Sequence, residues 1–159
     1  MTPQSPLLLI NGPNLNMLGR RDPEQYGRFT LDDAEALARR TAAAHGCDLV
    51  CFQSNHEGAL IDRIQQALGT IAGIAINAGA LTHYSYALRD ALELCGCPVI
   101  ELHISDISRR EPFRRNSVIR DVCAEQISGH GLDSYRLAIE SLCRILSPVD
   151  GVERAGDQT

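Results

Sequence analysis

The sequence predicts an α/β fold in which helices cover both faces of a five-stranded parallel sheet. Short apolar runs alternate with windows of helical periodicity, and capping or turn residues separate the two kinds of segment. Strands joined by helices in this way are typical of βαβ units and therefore of a parallel sheet. The length of 159 residues is enough for one such domain with a hydrophobic core. We expect residues 1–146 to form that single domain and residues 147–159 to be a polar, flexible tail.

The first strand and the first helix carry clear start and stop signals. Residues 7–10 are Leu-Leu-Leu-Ile and precede a turn signal at Asn11, as expected of a central strand that is buried on both faces. In residues 30–46, Thr30 is followed three positions later by Asp33, which is the pattern of a capping box. Apolar residues then recur at helical spacing until a glycine ends the segment. This segment is the first predicted helix.

The middle of the chain continues the alternation. Residues 48–53 are the second predicted strand. Residues 54–57, Ser-Asn-His-Glu, have the pattern of a second capping box, and the helix that follows them ends at a glycine. Residues 73–77 form the third predicted strand. Residues 81–96 form the next helix, with a buried stripe that includes Ala87.

The last part of the chain supplies two strands and a closing helix. Residues 98–104 are the fourth predicted strand, residues 122–127 the fifth and residues 133–146 the last helix. Together the elements predict a flavodoxin-like three-layer sandwich with the strand order 2-1-3-4-5. In such sheets ligands bind beyond the carboxyl ends of the strands, where the strand order reverses. The polar residues that follow strands one, three and four are therefore the candidates for a functional site.

Composition excludes several classes of function. All 15 residues in the Lys+Arg count are arginines, so a Schiff-base enzyme, a Walker-type phosphate loop and a lysine general base are excluded. A net charge of −5 gives no general attraction to nucleic acids or to anionic membranes. No apolar stretch approaches the roughly 20 residues that span a bilayer, and residues 7–10 are too short for a signal-peptide core. We therefore expect a cytoplasmic protein.

Six cysteines raise the question of disulfides or of a metal site. Cys51, Cys123 and Cys143 lie among apolar residues, where a thiol behaves as a small hydrophobic group. Cys95 and Cys97 form the closest pair, but no second pair follows at the spacing that a zinc site needs. We therefore predict structural roles for the cysteines and no metal site.

The segment after the first strand, NGPNLNMLG, holds three asparagines. A turn is a sufficient explanation for Asn11, so Asn14 is the better candidate for a site residue. The segment lacks the Ser/Thr-rich phosphate loop of a flavodoxin and the glycine spacing of a dinucleotide-binding fingerprint. This pattern counts against a nucleotide cofactor.

Residues 18–27 form a charged segment with a glycine near each end, which is typical of a lid loop. Pro23 disfavours a helix there, and a solvated surface loop is the alternative interpretation. Tyr26 follows Arg20 and Arg21 by six and five residues. A phenol with an ordinary pKa of about 10 becomes a usable base only beside positive charge. This pattern makes Tyr26 a candidate general base.

Three further groups of candidates lie on strands three and four or after them. Asn77 ends the third strand and His83 lies near the next helix start, although capping or surface roles would also explain them. Glu101 and His103 are two residues apart on one face of strand four, where a carboxylate can orient an imidazole as a general acid. A simple ion pair is less favoured because a central strand has no exposed face. Residues 109–116 hold four arginines, which indicates local recognition of an anion or a hydroxyl group.

Four blocks of sequence, in this order and spacing, resemble the type II 3-dehydroquinate dehydratases of the shikimate pathway: NGPNLNMLGRRDPEQYG, QSNHEG, NAGALTHYSYALRDA and ELHISDISRREPFRRNS. The resemblance extends over about residues 7–146. It implies a hydro-lyase that converts 3-dehydroquinate to 3-dehydroshikimate through an enolate, without a metal or an organic cofactor. The reaction belongs either to aromatic (chorismate) biosynthesis or to quinate breakdown, and the resemblance does not distinguish between the two roles. The resemblance also implies a dodecamer that is a tetramer of trimers.

The resemblance further assigns roles to individual residues. Tyr26 matches the base that removes the C2 proton, and Arg21 the arginine that holds this tyrosine as a phenolate. His103, oriented by Glu101, matches the acid that protonates the leaving hydroxyl, and Asn14 the residue that positions a water at the enolate oxygen. The implied substrate contacts are Asn77, His83, Arg110, Arg114 and the backbone amides of Ile104 and Ser105, together with Asp90, which reaches the site of a neighbouring subunit.

A flavodoxin-like binding module without catalysis is the alternative function. A receiver domain would need an acidic cluster after strand one and a later lysine, and the sequence has neither. An FMN carrier would need a phosphate loop and aromatic residues for stacking, yet the chain has no Trp. Retention of the fold without catalysis stays open as a third possibility.

Overall fold

The computed structural model describes residues 5–20 and 22–147. Arg21 and residues 148–159 of the predicted tail lie outside the described residues. The strands are β1 (Leu7–Asn11), β2 (Leu49–Gln53), β3 (Gly73–Asn77), β4 (Val99–His103) and β5 (Glu125–Ser128). The helices are α1 (Pro23–Tyr26), α2 (Leu31–Ala44), α3 (Glu57–Gln66), α4 (Tyr86–Leu94) and α5 (Asp133–Leu146). None of these helices is long and apolar enough to cross a bilayer.

All five strands are parallel and lie in the order β2-β1-β3-β4-β5, which confirms the predicted fold. Every residue of β1, β3 and β4 is buried, as expected of central strands with a helix layer on each side. The strand order reverses at β1, which pairs with β2 on one side and with β3 on the other. In this register Asn11 lies beside Asn77 at the carboxyl edge of the sheet.

The sheet separates two hydrophobic layers. Leu7 and Leu9 face the layer that contains buried residues of α2 and α5, whereas Leu8 and Ile10 face the layer that contains those of α3 and α4. Successive residues of a strand point to opposite faces, so a strand covered on both sides has to be apolar throughout. This requirement explains the uninterrupted apolar run of β1.

A buried hydrogen-bond network joins the carboxyl ends of β1 and β3 to α5. Tyr135 of α5 is fully buried, and its hydroxyl donates to Asn11 Oδ1 at 2.7 Å and accepts from Asn77 Nδ2 at 3.2 Å. Burial raises the pKa of Tyr135 far above its ordinary value, so the phenol stays protonated and able to donate. The Gly12 amide donates to the Asn77 carbonyl at 2.8 Å. The ends of the two strands are thereby fixed to each other and to the last helix.

The helix predicted over residues 81–96 is shorter than expected. A 3-10 turn occupies Gly79–His83, and α4 begins only at Tyr86 because Ser85 caps it by accepting a hydrogen bond from the Leu88 amide. Ala87, which was expected in the buried stripe, is exposed. The sequence pattern therefore placed the start of this helix about one turn too early.

Two other boundaries differ from the predictions. The fifth strand occupies Glu125–Ser128 and not residues 122–127, because Arg120–Val122 forms a 3-10 turn. The expected capping box at residues 54–57 does not form, because the Ser54 hydroxyl accepts from the nearby His56 amide at 3.0 Å. His56 itself is the residue before the helix. A serine that makes a local turn is the common competitor of a serine cap.

The Tyr135 network leads to a stability prediction. We expect Tyr135→Phe to lower the free energy of unfolding by about 1–3 kcal/mol, because buried polar atoms of Asn11 and Asn77 lose their partner. Urea denaturation at one fixed protein concentration measures this change. The control is Tyr84→Phe at a phenol that is 62% exposed, where a change within about 0.5 kcal/mol is expected. Equal losses in the two variants would contradict a special role for the buried hydroxyl.

Candidate active site

A cavity of about 120 Å³ lies at the carboxyl ends of β1, β3 and β4. This volume is many times the ~10–15 Å³ that one water needs, so the cavity is large enough for a small molecule. The residues that line it are Pro13, Asn14, Leu15, Tyr26, Asn77, Gly79, Ala80, His83, His103, Ile104, Ser105, Ile107, Arg110 and Arg114. Nine of the residues that the sequence predicts for a site are therefore brought together here.

β4 contributes a buried carboxylate and imidazole pair. His103 Nε2 lies 2.6 Å from Glu101 Oε1, and the Ser117 hydroxyl donates to the same oxygen at 2.7 Å. Burial raises the pKa of Glu101, but the interactions with His103 and Ser117 outweigh it and leave that pKa below its usual range. The carboxylate therefore stays ionised and holds the imidazole through its Nε2 atom. The contribution of Ser117 was missed, because a serine 16 residues away carries no local signal.

Tyr26 is the last residue of a short helix that the sequence analysis excluded. Pro23 was expected to prevent a helix, but it occupies the first position of α1, where the proline nitrogen needs no hydrogen-bond partner. The Asp22 side chain caps this helix by accepting from the Glu24 amide at 3.0 Å. The helix places Tyr26 at the wall of the cavity.

Arg110 connects Tyr26 to the loop after β4. One guanidinium nitrogen of Arg110 lies 3.3 Å from Tyr26 Oη and 3.2 Å from Ser105 Oγ, and it donates to both. The carbon centre of the guanidinium lies 5.7 Å from the centroid of the Tyr26 ring. The sequence indicated Arg20 and Arg21 as the positive charges beside this phenol, and Arg21 lies outside the described residues. The structure adds Arg110, from a segment 84 residues further along the chain.

Asn14 adopts a left-handed backbone conformation, with φ 69° and ψ −3°. Such a conformation is uncommon for residues other than glycine, and asparagine tolerates it best. The Asn14 amide donates to Asn55 Oδ1 at 2.9 Å, and Gln53 Nε2 donates to the same oxygen at 3.2 Å. The loop after β2 therefore holds Asn14 at the edge of the cavity. Asn55 was not among the predicted residues, although it lies within the block QSNHEG.

The loops after β1 and β3 touch each other through their backbones. A Cβ atom on Gly12 would lie 2.5 Å from the carbonyl oxygen of Ala78, a distance that no real side chain tolerates. A Cβ atom on Gly79 would likewise lie 3.0 Å from the carbonyl oxygen of Pro13. Backbone contact, and not side-chain packing, therefore sets the spacing between the Asn14 loop and the His83 turn.

His83 and Arg114 belong to adjoining turns at the rim of the cavity. His83 Nδ1 lies 2.7 Å from the Asn116 carbonyl oxygen, which can only accept, so Nδ1 carries a proton. Arg114 Nε lies 3.5 Å from Glu111 Oε2. Each side chain is thus held by a neighbour in the Arg-rich segment while it lines the cavity.

The charged groups in the cavity wall are all basic or potentially basic. Two guanidiniums and two imidazoles line the cavity, and no carboxylate is found among the described residues that line it. A site of this composition favours an anionic ligand that also carries groups able to form hydrogen bonds.

Not every predicted site residue lines this cavity. Glu101 lies behind His103, and Asp90 lies exposed on α4, away from the cavity wall. Within residues 5–20 and 22–147, no group of three or more His, Cys, Asp or Glu residues could hold a metal ion.

Comparison with known proteins gives one consistent family. The family model described as Dehydroquinase class II matches residues 5–143. A protein from Roseiflexus castenholzii named 3-dehydroquinate dehydratase is 57% identical over 136 residues, which cover 86% of this chain and 87% of the relative. A catabolic 3-dehydroquinase from Penicillium rubens is 53% identical over 137 residues, which cover 86% and 88% of the two chains.

The fold agrees with the sequence match. The crystal structure of a type II dehydroquinase from Butyrivibrio crossotus matches with a TM-score of 0.84 and 45% identity, over 87% of this chain and 97% of that chain. Likeness in sequence and in fold thus covers all the elements that form the cavity. The chain belongs to the class II dehydroquinase family.

Proposed function

We propose that the chain is a hydro-lyase that dehydrates 3-dehydroquinate to 3-dehydroshikimate. The observation that carries this proposal is one cavity lined by a phenol beside a guanidinium and by an imidazole bonded to a buried carboxylate. These groups form a base and an acid for removal of a proton and loss of a hydroxyl group. The names of the relatives and the family model support the same reaction.

In the proposed reaction, Tyr26 acts as the base as its phenolate. It removes a proton from C2 of the substrate, and the electron pair of the C–H bond moves toward the C3 carbonyl to give an enolate. The contact of Arg110 with Tyr26 Oη supports this role, because a guanidinium stabilises negative charge on the phenol oxygen. Arg21 is proposed as a second cation for the same phenolate, on the basis of the family motif.

His103 is proposed to act as the acid in the second step. The enolate collapses, the C1–C2 double bond forms, and the C1 hydroxyl leaves as water with a proton from His103. The hydrogen bond between Nε2 and Glu101 restrains the imidazole, and Nδ1 is the ring nitrogen proposed to deliver the proton. Glu101 is thus proposed as a positioning residue that orients the imidazole.

The remaining groups are proposed to bind the substrate and stabilise the enolate. The amides of Ile104 and Ser105 and the side chains of Arg110 and Arg114 suit the carboxylate of the substrate, because the cavity wall carries guanidiniums and no described acid. Asn77 and His83 suit its hydroxyl groups. Asn14 is proposed to hold a water at the enolate oxygen, a role for which its fixed backbone at the cavity edge is suitable.

We also propose that the chain assembles as a dodecamer of four trimers in the cytoplasm, with Asp90 completing the site of a neighbouring subunit. The position of Asp90 on the exposed surface of α4, outside the cavity of its own chain, supports this role. A carboxylate that reached the site from a partner subunit would accept hydrogen bonds from the substrate hydroxyl groups or form an ion pair with an arginine of the cavity wall.

The reaction can be tested directly by ultraviolet absorbance, because the product is a conjugated enone and the substrate is not. We expect the purified protein to generate this absorbance from 3-dehydroquinate without an added cofactor. Tyr26→Phe should lower kcat by at least about 100-fold, the usual contribution of a general base. Tyr86→Phe alters a phenol that is 67% exposed and should keep full activity.

A folded protein that binds 3-dehydroquinate without producing absorbance would favour the binding-module alternative. An unchanged rate in Tyr26→Phe, with activity present in the parent protein, would remove Tyr26 from the role of base while leaving the reaction in place.

The buried carboxylate predicts a pH-dependent stability. The pKa of Glu101 is lower in the folded protein than the ordinary ~4.3, so its stabilising contribution is present above that value and is lost as the pH falls through the folded pKa. We expect Glu101→Gln to lower the free energy of unfolding by about 1–3 kcal/mol at pH 7. The difference from the parent protein should shrink below about pH 4, as Glu101 becomes protonated in both states.

Urea denaturation between pH 3 and pH 8 measures this effect. Glu93→Gln, at an exposed position on α4, is the matched control and should show little difference at any of these pH values. A Glu101→Gln penalty that stayed constant down to pH 3 would contradict the role of an ionised carboxylate.

The assembly is tested by light scattering. We expect a mass twelve times the 17.4 kDa of one chain. Asp90→Asn should keep this mass and lower kcat/KM by about 10-fold or more, since it removes a charge from the neighbouring site. Asp62→Asn on the exposed surface of α3 should change neither quantity. Full activity in a monomer would contradict the shared site.

A further inference from the structure

Two cysteines lie side by side where α4 leads into β4. The Sγ atoms of Cys95 and Cys97 are 3.5 Å apart, and both residues are half-buried. Gly96 between them has φ +67°, a left-handed conformation that turns the chain so that the two thiols meet. This turn precedes the amino end of β4, whereas the cavity lies at the carboxyl ends of the strands. The thiol pair therefore plays no part in the proposed dehydration.

The local hydrogen bonds distinguish the two sulfurs. The Cys97 thiol donates to the Cys95 sulfur, which lowers the pKa of the Cys95 thiol to about 6 and raises that of Cys97 far above its ordinary value. A thiolate, not a thiol, is the attacking species in exchange with disulfides. Cys95 therefore has the properties of an attacking sulfur and Cys97 those of a resolving sulfur.

The two sulfurs, 3.5 Å apart, are close to the distance of a covalent bond. A disulfide needs a sulfur–sulfur distance of about 2.0 Å, so the two atoms have to approach by roughly 1.5 Å. A Cβ atom placed on Gly96 would meet nothing within 4 Å, which shows that the turn is open on that side.

We propose that Cys95 and Cys97 form a dithiol site that exchanges with low-molecular-weight disulfides and is oxidised to an intramolecular disulfide. The Cys95 thiolate attacks one sulfur of the small disulfide and releases one thiolate, giving a mixed disulfide. Cys97 loses its proton to solvent and attacks Cys95 Sγ, which forms the Cys95–Cys97 bond and releases the second thiolate. Two protein thiols are oxidised, and one small disulfide is reduced to two thiols.

The other cysteines are less suited to this exchange. The sulfurs of Cys47 and Cys143 lie further apart, at 3.9 Å, and Cys143 is buried, whereas Cys95 and Cys97 are both half-buried. Burial raises the pKa of Cys51 to about 11 and that of Cys123 to about 12. At pH 7 these two thiols are almost entirely protonated. The exchange is therefore expected to select the pair at Cys95.

Oxidised glutathione is the probe for this site. The reduced protein is incubated with it at pH 7, quenched with acid, alkylated and analysed by peptide mass spectrometry. We expect the peptide with Cys95 and Cys97 to lose two hydrogen masses and to escape alkylation, before the other cysteines react. Cys97→Ser should retain one glutathione on Cys95, because the resolving thiol is absent. Cys95→Ser should react at least about 10-fold more slowly at Cys97.

Circular dichroism of each variant confirms that it is folded, and the Cys47→Ser variant serves as a control that should still form the Cys95–Cys97 bond. First reaction at Cys47, or a folded Cys97→Ser protein without an adduct at Cys95, would overturn the proposal. Because the readout is a peptide mass, its outcome is independent of whether the protein dehydrates 3-dehydroquinate.

Discussion

The hydroxyl of Tyr135 is the contact on which the arrangement of the site depends. It joins Asn11 at the end of β1 to Asn77 at the end of β3, across sequence separations of 124 and 58 residues. An α/β sheet has a crevice where its strand order reverses, and the loops that leave the two strands would otherwise diverge there. The phenol of Tyr135 connects the two strand ends, so the loops that follow β1 and β3 start from fixed positions. Asn77 then contributes to the cavity from a strand end that cannot shift independently of Asn11.

The buried carboxylate in β4 also depends on specific hydrogen bonds. A carboxylate inside a sheet that is covered on both faces loses its hydration, and this loss is tolerated only where hydrogen bonds replace the water. Glu101 Oε1 has such bonds with His103 and Ser117. The same contacts that keep the carboxylate ionised also hold the imidazole in one orientation. Stability and the proposed acid chemistry therefore depend on the same hydrogen bonds.

The sequence predicted most of the fold and the strand-end part of the site, because both follow from periodicity. The five strands and the bounds of α5 required only apolar patterns, whereas the strand order came from the flavodoxin-like layout that five alternating strands and helices suggest. The short helix α1 was missed because proline inside a helix differs from proline at its first position. The contacts of Arg110 with Tyr26 and of Tyr135 with Asn11 could not be predicted from local pattern. Each joins segments more than 80 residues apart, and only the packed structure brings them together.

The backbone contact between Gly12 and Ala78 limits how this site can vary in sequence. Elsewhere in a pocket, a larger residue can be accommodated by a new rotamer or by a smaller neighbour. Here the opposing atom is a peptide oxygen, which no substitution in the partner loop can remove. Variation in the residues that contact a ligand must therefore come from other parts of the cavity wall, such as α1 and the Arg-rich segment, while the junction of the two loops stays unchanged. At this junction the smallest possible change of side chain, the addition of one methyl group, is already too large.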